Sequence, residues 1–347
     1  MREILRIEES GPGEEHLWDE YVDRHPQGTL FHRTPWQKMI QEEFGFRSIY
    51  LKAVDSTGIR GILPLFEVPQ LFGKVNMISI PFSVYGGLLG DESRIEVSLL
   101  KRAETILKDR GGQFLELRHR EGRDLPPLPG TDLYVTYCRD LPDRPEDCLG
   151  LLPRKARAAA RHARNRYGLE AVSTLDLLDG FHNLFLLNKR RLGSPSFRPS
   201  FFRKVVDVHG DSVGLFNILE GGKPRSAVIY FVYRDTIFPY FAGTAPNAES
   251  VHASNFMYMA LMEHAVRLGL KKFDFGRSRK NTGSARFKEH QGFSAVDLKY
   301  GYLLNRMDSV PTNNPSNPRY DLVKSIWSRT PVWVTRILGP RLIRYFP

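Results

Sequence analysis

The residues best suited to chemistry lie late in the chain, in Phe273–Phe293, FDFGRSRKNTGSARFKEHQGF. An apolar strand there ends in Asp274 and Gly276, and a polar loop with Arg277 follows. A short helix then carries Arg286, Phe287 and Lys288 before Gly292 stops it. Ligands of open α/β sheets collect beyond strand ends. A lysine in such a place can present an ammonium to a developing oxyanion. The sequence leaves two plainer roles open: Asp274 as a cap or ion-pair partner, and Lys288 as an exposed surface lysine.

Two cationic clusters precede this segment. PRKARAAARHARNRYG (Pro153–Gly168) opens with proline and closes at glycine, as helices do. Arg154, Arg157, Arg161 and Arg164 stand three and four residues apart, so they share one stripe of a helix over 153–167. Ala156, Ala159, Ala160 and Ala163 make a thin opposite face, and no acid lies between Arg154 and Leu169. Guanidinium forks bind phosphate bidentately, so the row suits an anion or tRNA; the alternative is a solvated charged helix. In the second cluster, NKRRLGSPSFRPSFFR (Asn188–Arg203), Lys189, Arg190 and Arg191 follow an apolar helical stretch. They serve either the helix dipole or a diphosphate.

The elements that would hold these residues read as one order written twice. Ser48–Val54, Ile59–Val68 and Val75–Ile80 are predicted strands. A helix over Glu92–Asp109 follows, with Ile95, Leu99, Ala103 and Ile106 on one stripe, and then the strand FLELRH. The second pass has strands Val213–Leu219, Ser226–Tyr233 and Ile237–Ala242. A helix over Ser254–Leu268, with Ser254 as its N-cap, and the strand KKFDFG complete it. A Pro-rich connection, Leu125–Pro145, carries one more strand (DLYVTYCRDL) between the two passes. The fold class is therefore α/β with mixed sheets. The expected domains are 1–150, 151–305, and a 306–347 segment of Pro-rich linker and amphipathic basic tail. In that tail Gly339-Pro340 should divide two short helical pieces.

Composition limits the function classes. The 347 residues are 41% hydrophobic and 12% aromatic, enough for two packed cores and too apolar for disorder. No apolar run reaches the length of a membrane span, and the first ten residues lack a signal-peptide core, so a cytoplasmic chain is expected. Two cysteines, Cys138 and Cys148, are too few for a disulfide framework or a cysteine zinc site. The ten histidines are scattered, and no P-loop, Gly-x-Ser-x-Gly or His-Glu-x-x-His motif occurs. No metal and no cofactor are expected. A formal charge of +11 suits an anionic partner.

The duplicated strand order looks like a tandem pair of GNAT-type acyltransferase domains, each a mixed central sheet flanked by helices. FHRTPWQKMIQEEFG, the basic helix, the DFG strand end and FKEHQGF stand in the order found in FemAB-family aminoacyltransferases, and the resemblance covers roughly residues 28–305. NKRRLGSPSF, DFGRS and the tail SIWSRTPVWVTRILGPRLIRYFP resemble the branch associated with exosortase/PEP-CTERM exopolysaccharide systems.

The resemblance implies transfer of an acyl group to an amine acceptor, with aminoacyl-tRNA or acyl-CoA as co-substrate. It implies that Lys288 serves the transition state; Asp274, at the strand end, is the other catalytic candidate. It implies that Arg191 holds a substrate diphosphate; Arg277 and Arg286, in the late polar segment, are further substrate-binding candidates. A second diphosphate-gripping lysine of the family falls on Ile40, with Lys38 nearby, and that departure bears on the acceptor. The implied acceptor is an anionic, nucleotide- or lipid-linked sugar or peptide. Two other readings stand beside this one: an acyl-CoA-dependent N-acyltransferase acting on an amino sugar or amine, and a non-catalytic exopolysaccharide assembly factor. The GNAT pyrophosphate loop has no match in FAGTAPNAES or ISIPFSVYGG. The tail, residues 327–347, either docks on the protein's own body or makes peripheral contact with the inner membrane.

Overall fold

The structure, a computed structural model, describes residues 5–70, 73, 75–120, 128–311 and 318–347. The expected Pro-rich stretches at 125–127 and 312–317 lie outside the described residues. The chain divides into two compact units: Met1–Tyr134 with Asp297–Asn313 and Arg344–Pro347, and Val135–Val296 with Asn314–Ile343.

The first unit contains β1 (Arg6–Glu9), α1 (Glu15–Arg24), α2 (Thr34–Phe44), β2 (Ser48–Asp55), β3 (Gly58–Pro69), β4 (Val75–Ile78), β5 (Leu89–Gly90), α3 (Ser93–Asp109) and β6 (Phe114–Leu117). Strands β1 to β4 pair antiparallel in sequence, whereas β4 and β6 run parallel. A parallel step needs a crossover, and α3 supplies it. Its stripe of Ile95, Leu99, Ala103 and Ile106 is buried against a core that includes Leu51, Leu63 and Leu115. β3 is apolar on both faces because it is a central strand, so it reads as a near-continuous hydrophobic run.

The second unit repeats the plan. It holds most of β7 (Gly130–Asp140), then α4 (Arg154–Asn165), β8 (Glu170–Ser173), α5 (Leu178–Arg191), α6 (Pro199–His209), β9 (Val213–Glu220), β10 (Lys223–Tyr233), β11 (Thr236–Thr244), α7 (Ala253–Arg267), β12 (Lys272–Asp274), β13 (Ser278–Arg279) and α8 (Gly283–His290). β8 to β11 pair antiparallel and β11 pairs parallel with β12 across the α7 crossover. The last strand, β14 (Ala295–Leu304), pairs antiparallel with β6, and β7 pairs antiparallel with β12. Each unit thus ends its parallel pair on an antiparallel neighbour, and the duplication expected from strand order is present in the pairing. Gly221 and Gly222 take positive φ at the β9–β10 turn, as a two-residue hairpin requires.

Three local expectations are corrected. α7 begins one residue earlier than Ser254, and its N-cap is His252, at φ 55°, with no side-chain cap bond. The tail does not break at Gly339-Pro340: α9 (Pro318–Arg329) is followed by α10 (Val332–Leu342), which runs through Pro340. The proline removes one hydrogen bond in the last turn, and the buried Gly339 lies against the Ser196 backbone. The helix over 153–167 is shorter at both ends, with Pro153 as its N-cap. Among the described residues no helix is long and apolar enough to cross a membrane.

An aromatic cluster seats α5, the helix that carries the second arginine cluster. Phe181, Phe185, Phe197, Phe201, Phe202 and Phe241 meet mostly edge to face, with Phe181–Phe202 and Phe185–Phe202 centroids 5.1 Å apart. Gly243 of β11 lets the helix approach. A Cβ there would lie 2.5 Å from the Phe185 nitrogen and 2.7 Å from the Leu184 carbonyl carbon, which are backbone atoms that cannot step aside. Gly243→Ala should therefore cost about 1–3 kcal/mol in urea unfolding. Gly150→Ala, whose added Cβ would meet nothing within 4 Å among the described residues, should stay within about 0.5 kcal/mol of the parent.

Candidate functional site

Residues at the end of β12 and on α8 form one connected polar site in the second unit. Thr282 caps α8, its Oγ1 accepting from the Ala285 nitrogen at 3.3 Å. The cap places Ala285 and Lys288, three residues apart, on the buried face. Lys288 is only 6% exposed. Its Nζ donates to the carbonyl oxygens of Phe275 at 2.6 Å, Gly276 at 2.8 Å and Arg277 at 3.1 Å. An ammonium has three donors, so all three are used. Gly276 sits at φ 68°, and its N–H donates to Asp274 Oδ1 at 2.9 Å, which folds the turn so that three successive carbonyls face the lysine. Burial pushes the Lys288 pKa down to about 7; the nearby Asp274 charge pulls the other way.

Aromatic rings complete the surroundings. Lys288 Nζ lies 5.0 Å from the Phe275 ring centre and 5.3 Å from that of Tyr137. The Tyr137 hydroxyl donates to Glu289 at 3.0 Å, and burial, then that bond, pushes its pKa up to about 12. Tyr258 of α7 packs on Phe275 at 4.3 Å. The Gln291 side-chain amide is 1% exposed, and among the described residues neither its oxygen nor its nitrogen has a hydrogen-bond partner. Tyr137, Tyr258, Glu289 and Gln291 were not marked by sequence reasoning. Only the proximity of Glu289 and Gln291 to Lys288 in FKEHQGF could have drawn attention to them.

The basic helix joins the same region. Pro153, which opens α4, lies under Gly292, where a Cβ would stand 2.8 Å from the proline Cδ. Arg139 of β7 ties the two, donating to Leu151 O at 3.2 Å and Gly292 O at 2.7 Å. The arginine row is not uniform. Arg157 donates to the carbonyls of Gly150 and Leu152, and Arg164 pairs with Glu263 of α7 at 2.8 Å. Arg154 and Arg161 are exposed. Ala156, Ala160 and Ala163 are buried, as the thin apolar face requires. The sequence shows no acid within the row, but the fold supplies Glu263 from another helix.

A second place in this unit is a cavity of about 360 Å³ lined by Leu187, Arg190, Arg191, Thr244, Pro246 and Ser328. It lies where α5 ends and β11 exits. Arg190 Nε donates to Thr330 O at 2.6 Å. Arg191 is exposed and pairs with Glu249 at 2.9 Å and Asn188 at 3.2 Å. Burial lowers the pKa of Lys189, whose ammonium sits 5.3 Å from the Phe185 ring centre. Arg277 is half-buried near Lys288, and Arg286 is exposed, donating weakly to Asn281 O at 3.4 Å.

Lys38 is exposed on α2 of the first unit, and Ile40 is fully buried in that unit's core. The first unit has its own cavity, about 200 Å³, lined in part by His32, His119 and Arg120. Among the described residues no group of three His, Cys, Asp or Glu side chains is placed to hold a metal ion.

Residues 153–289 match the family model described as an acetyltransferase (GNAT) domain. No curated protein matches the chain by sequence. Among solved structures the chain is similar to FemX, with TM-score 0.63 and 13% identity over 92% of this chain and 100% of that one. It is similar to a tandem GNAT protein from the clavulanic acid biosynthesis pathway, with TM-score 0.56 and 10% identity over 89% and 100%. A C-terminal domain named for lysylphosphatidylglycerol synthetase, from Agrobacterium fabrum, gives TM-score 0.54 and 13% identity over 84% and 92%. At such identities the likeness is one of fold. Residues 153–289 thus form a GNAT acetyltransferase domain within a tandem GNAT fold, and the chain is an acyltransferase.

Proposed function

We propose that the second unit transfers an aminoacyl or acyl group from an activated carbonyl to the amine of a phosphate-bearing acceptor. Aminoacyl-tRNA is the donor in this reading, and the acceptor is a nucleotide- or lipid-linked envelope precursor. The observation that carries it is the cavity with Arg190 and Arg191 at its wall, inside the unit that holds the acetyltransferase domain. Two adjacent guanidinium groups suit a diphosphate. The assignment to exopolysaccharide assembly of the exosortase/PEP-CTERM type rests on sequence resemblance alone.

Amine attack on an ester or thioester needs the two reactants held together and one oxyanion stabilised. No nucleophile on the protein is required. Lys288, with its three donors committed to carbonyls, acts here as a positioning residue that fixes the 275–277 turn and places a cation beside Asp274. A second reading, acyl-CoA as donor, is supported by the acetyltransferase description of residues 153–289. Mass spectrometry of ligands co-purified with the full chain separates the two: aminoacyl-tRNA supports the first, and CoA alone would replace it with the second.

Three outcomes are expected. Arg191→Ala should raise KM for a diphosphate acceptor roughly tenfold or more while leaving the fold intact, because the residue is exposed. An unchanged KM would remove Arg191 from the site. Replacing Arg154 and Arg161 with Ala should lower the log–log salt slope of tRNA binding by about 0.7 for each phosphate no longer neutralised. Arg157→Ala and Arg164→Ala should lower stability instead, since those side chains hold Gly150, Leu152 and Glu263.

The third outcome concerns pH. The folded pKa of Lys288 is below the unfolded one, so between pH 7 and 10 the unfolded chain binds the extra proton, and stability rises with pH. Wild type should gain on Lys288→Met as pH rises from 7 to 9, by at most about 1.4 kcal/mol per unit. Urea unfolding of the two proteins at pH 7, 8 and 9 checks this, and parallel curves would refute it.

A further inference from the structure

The tail helices are docked by one side only. Trp327 Nε1 donates to Ser194 O at 2.9 Å, and Arg190 reaches Thr330 O. Arg336 bonds Asn183 at 2.9 Å, and Thr335 and Gly339 are buried. The other side is apolar and open. On α9, Leu322 is 62% exposed, with Val323 and Ile326 similarly open. On α10, Trp333 is 67% exposed, and Ile337 and Leu338 follow it. Leu192 stands open next to this face, since Gly193 packs on Lys324. Large apolar side chains in such number on one pair of helices mark a contact surface.

Charge chooses the occupant. From Asp321 to Ile343 the chain carries Lys324, Arg329, Arg336 and Arg341 against Asp321 alone, which is 3.7 Å from Lys324. A symmetric second copy would set these cations against their own equivalents. An anionic lipid surface meets both requirements at once: the apolar face enters the boundary of the acyl chains, Trp333 sits at headgroup depth, and the arginines meet the phosphates. The helices are already folded and anchored, so binding costs little ordering entropy.

We infer that α9 and α10 seat the chain on an anionic membrane surface through Leu322, Val323, Ile326, Trp333 and Ile337. Ser328 of α9 also lines the arginine cavity, so the seated chain holds that cavity beside lipid headgroups and favours a lipid-linked diphosphate acceptor. This last clause rests on the acyl-transfer reading, and the membrane contact does not.

The test is co-sedimentation of the full chain with phosphatidylcholine vesicles, with and without a quarter phosphatidylglycerol. Binding is expected to need the anionic lipid and to weaken as salt rises. The double variant Trp333→Glu, Ile337→Glu should lose roughly tenfold or more in partitioning. Arg329→Ala with Arg341→Ala, at exposed positions, should weaken binding in anionic vesicles only, which keeps the test valid if the first variant misfolds. Arg191→Ala should bind vesicles like wild type even though its KM for a diphosphate acceptor is expected to rise. Equal sedimentation of wild type and both variants would overturn the inference. So would absent vesicle binding with a dimer in light scattering that the double variant dissociates, since that result assigns the face to a second copy.

Discussion

A buried ammonium bonded to three consecutive carbonyls holds the second unit's polar site together. Taking a lysine charge out of water costs several kcal/mol unless its donors are satisfied and a counter-charge is near. Lys288 meets that requirement with Phe275, Gly276 and Arg277 as acceptors and Asp274 as the nearby acid. The bonds are mutually dependent. The carbonyls face inward because Gly276 takes a positive φ and Asp274 accepts its N–H. α8 is held because its lysine reaches them. Its C-terminal end at Gly292 is in turn clamped to Pro153 and to Arg139. A change at any of these points reaches the start of the basic helix through direct contacts rather than through a general loosening.

The order of elements was legible in the sequence because it rests on local signals. Alternation marked the strands, glycine and charged pairs marked the hairpin turns, and the stripe of Ile95, Leu99, Ala103 and Ile106 marked the crossover helix. Errors arose where tertiary contacts outweighed a local rule. Ser254 has the chemistry of an N-cap, yet the chain reaches αL at His252 and the helix starts from there. Pro340 should end a helix, but it sits in the last turn, where it removes only one bond, and the packing of Gly339 on Ser196 keeps the turn in place.

The candidate site was half legible, for the same reason. Motif order pointed to Asp274, Lys288 and Arg191, and the structure places the first two together at the β12 end and the third at a cavity wall. Their partners were invisible, because a hydrogen bond from Tyr137 to Glu289 or an ion pair from Arg164 to Glu263 joins residues about a hundred or more positions apart. The row of four arginines looked equivalent in sequence, since helical spacing treats all four alike. Packing divides them: Arg157 and Arg164 bond the protein's own acceptors, and Arg154 and Arg161 are exposed. Lys288 was the largest misjudgement available, because its sequence neighbours Arg286, Glu289 and His290 are all exposed while it is not.

The two repeats solve the same problem with different cations. In the first unit the end of β6 is sealed by Arg118, 3% exposed, which donates to the main-chain oxygens of Ile80, Ser83 and Pro347 and pairs with Glu116 at 2.6 Å. In the second unit the end of β12 is sealed by Lys288. Each is a buried cation on three main-chain oxygens, placed where a parallel pair diverges around its crossover helix. Arg118 has a carboxylate in direct contact, so its charge is locally neutralised and its forked geometry is filled. Lys288 has Asp274 nearby but main-chain carbonyls as its hydrogen-bond acceptors among the described residues, and its pKa falls to about 7. A guanidinium is a permanent charge, whereas a desolvated lysine can change its protonation near neutrality. The first unit's strand end is therefore built as a structural joint. The second unit's joint is built around a group that can change its charge near neutrality.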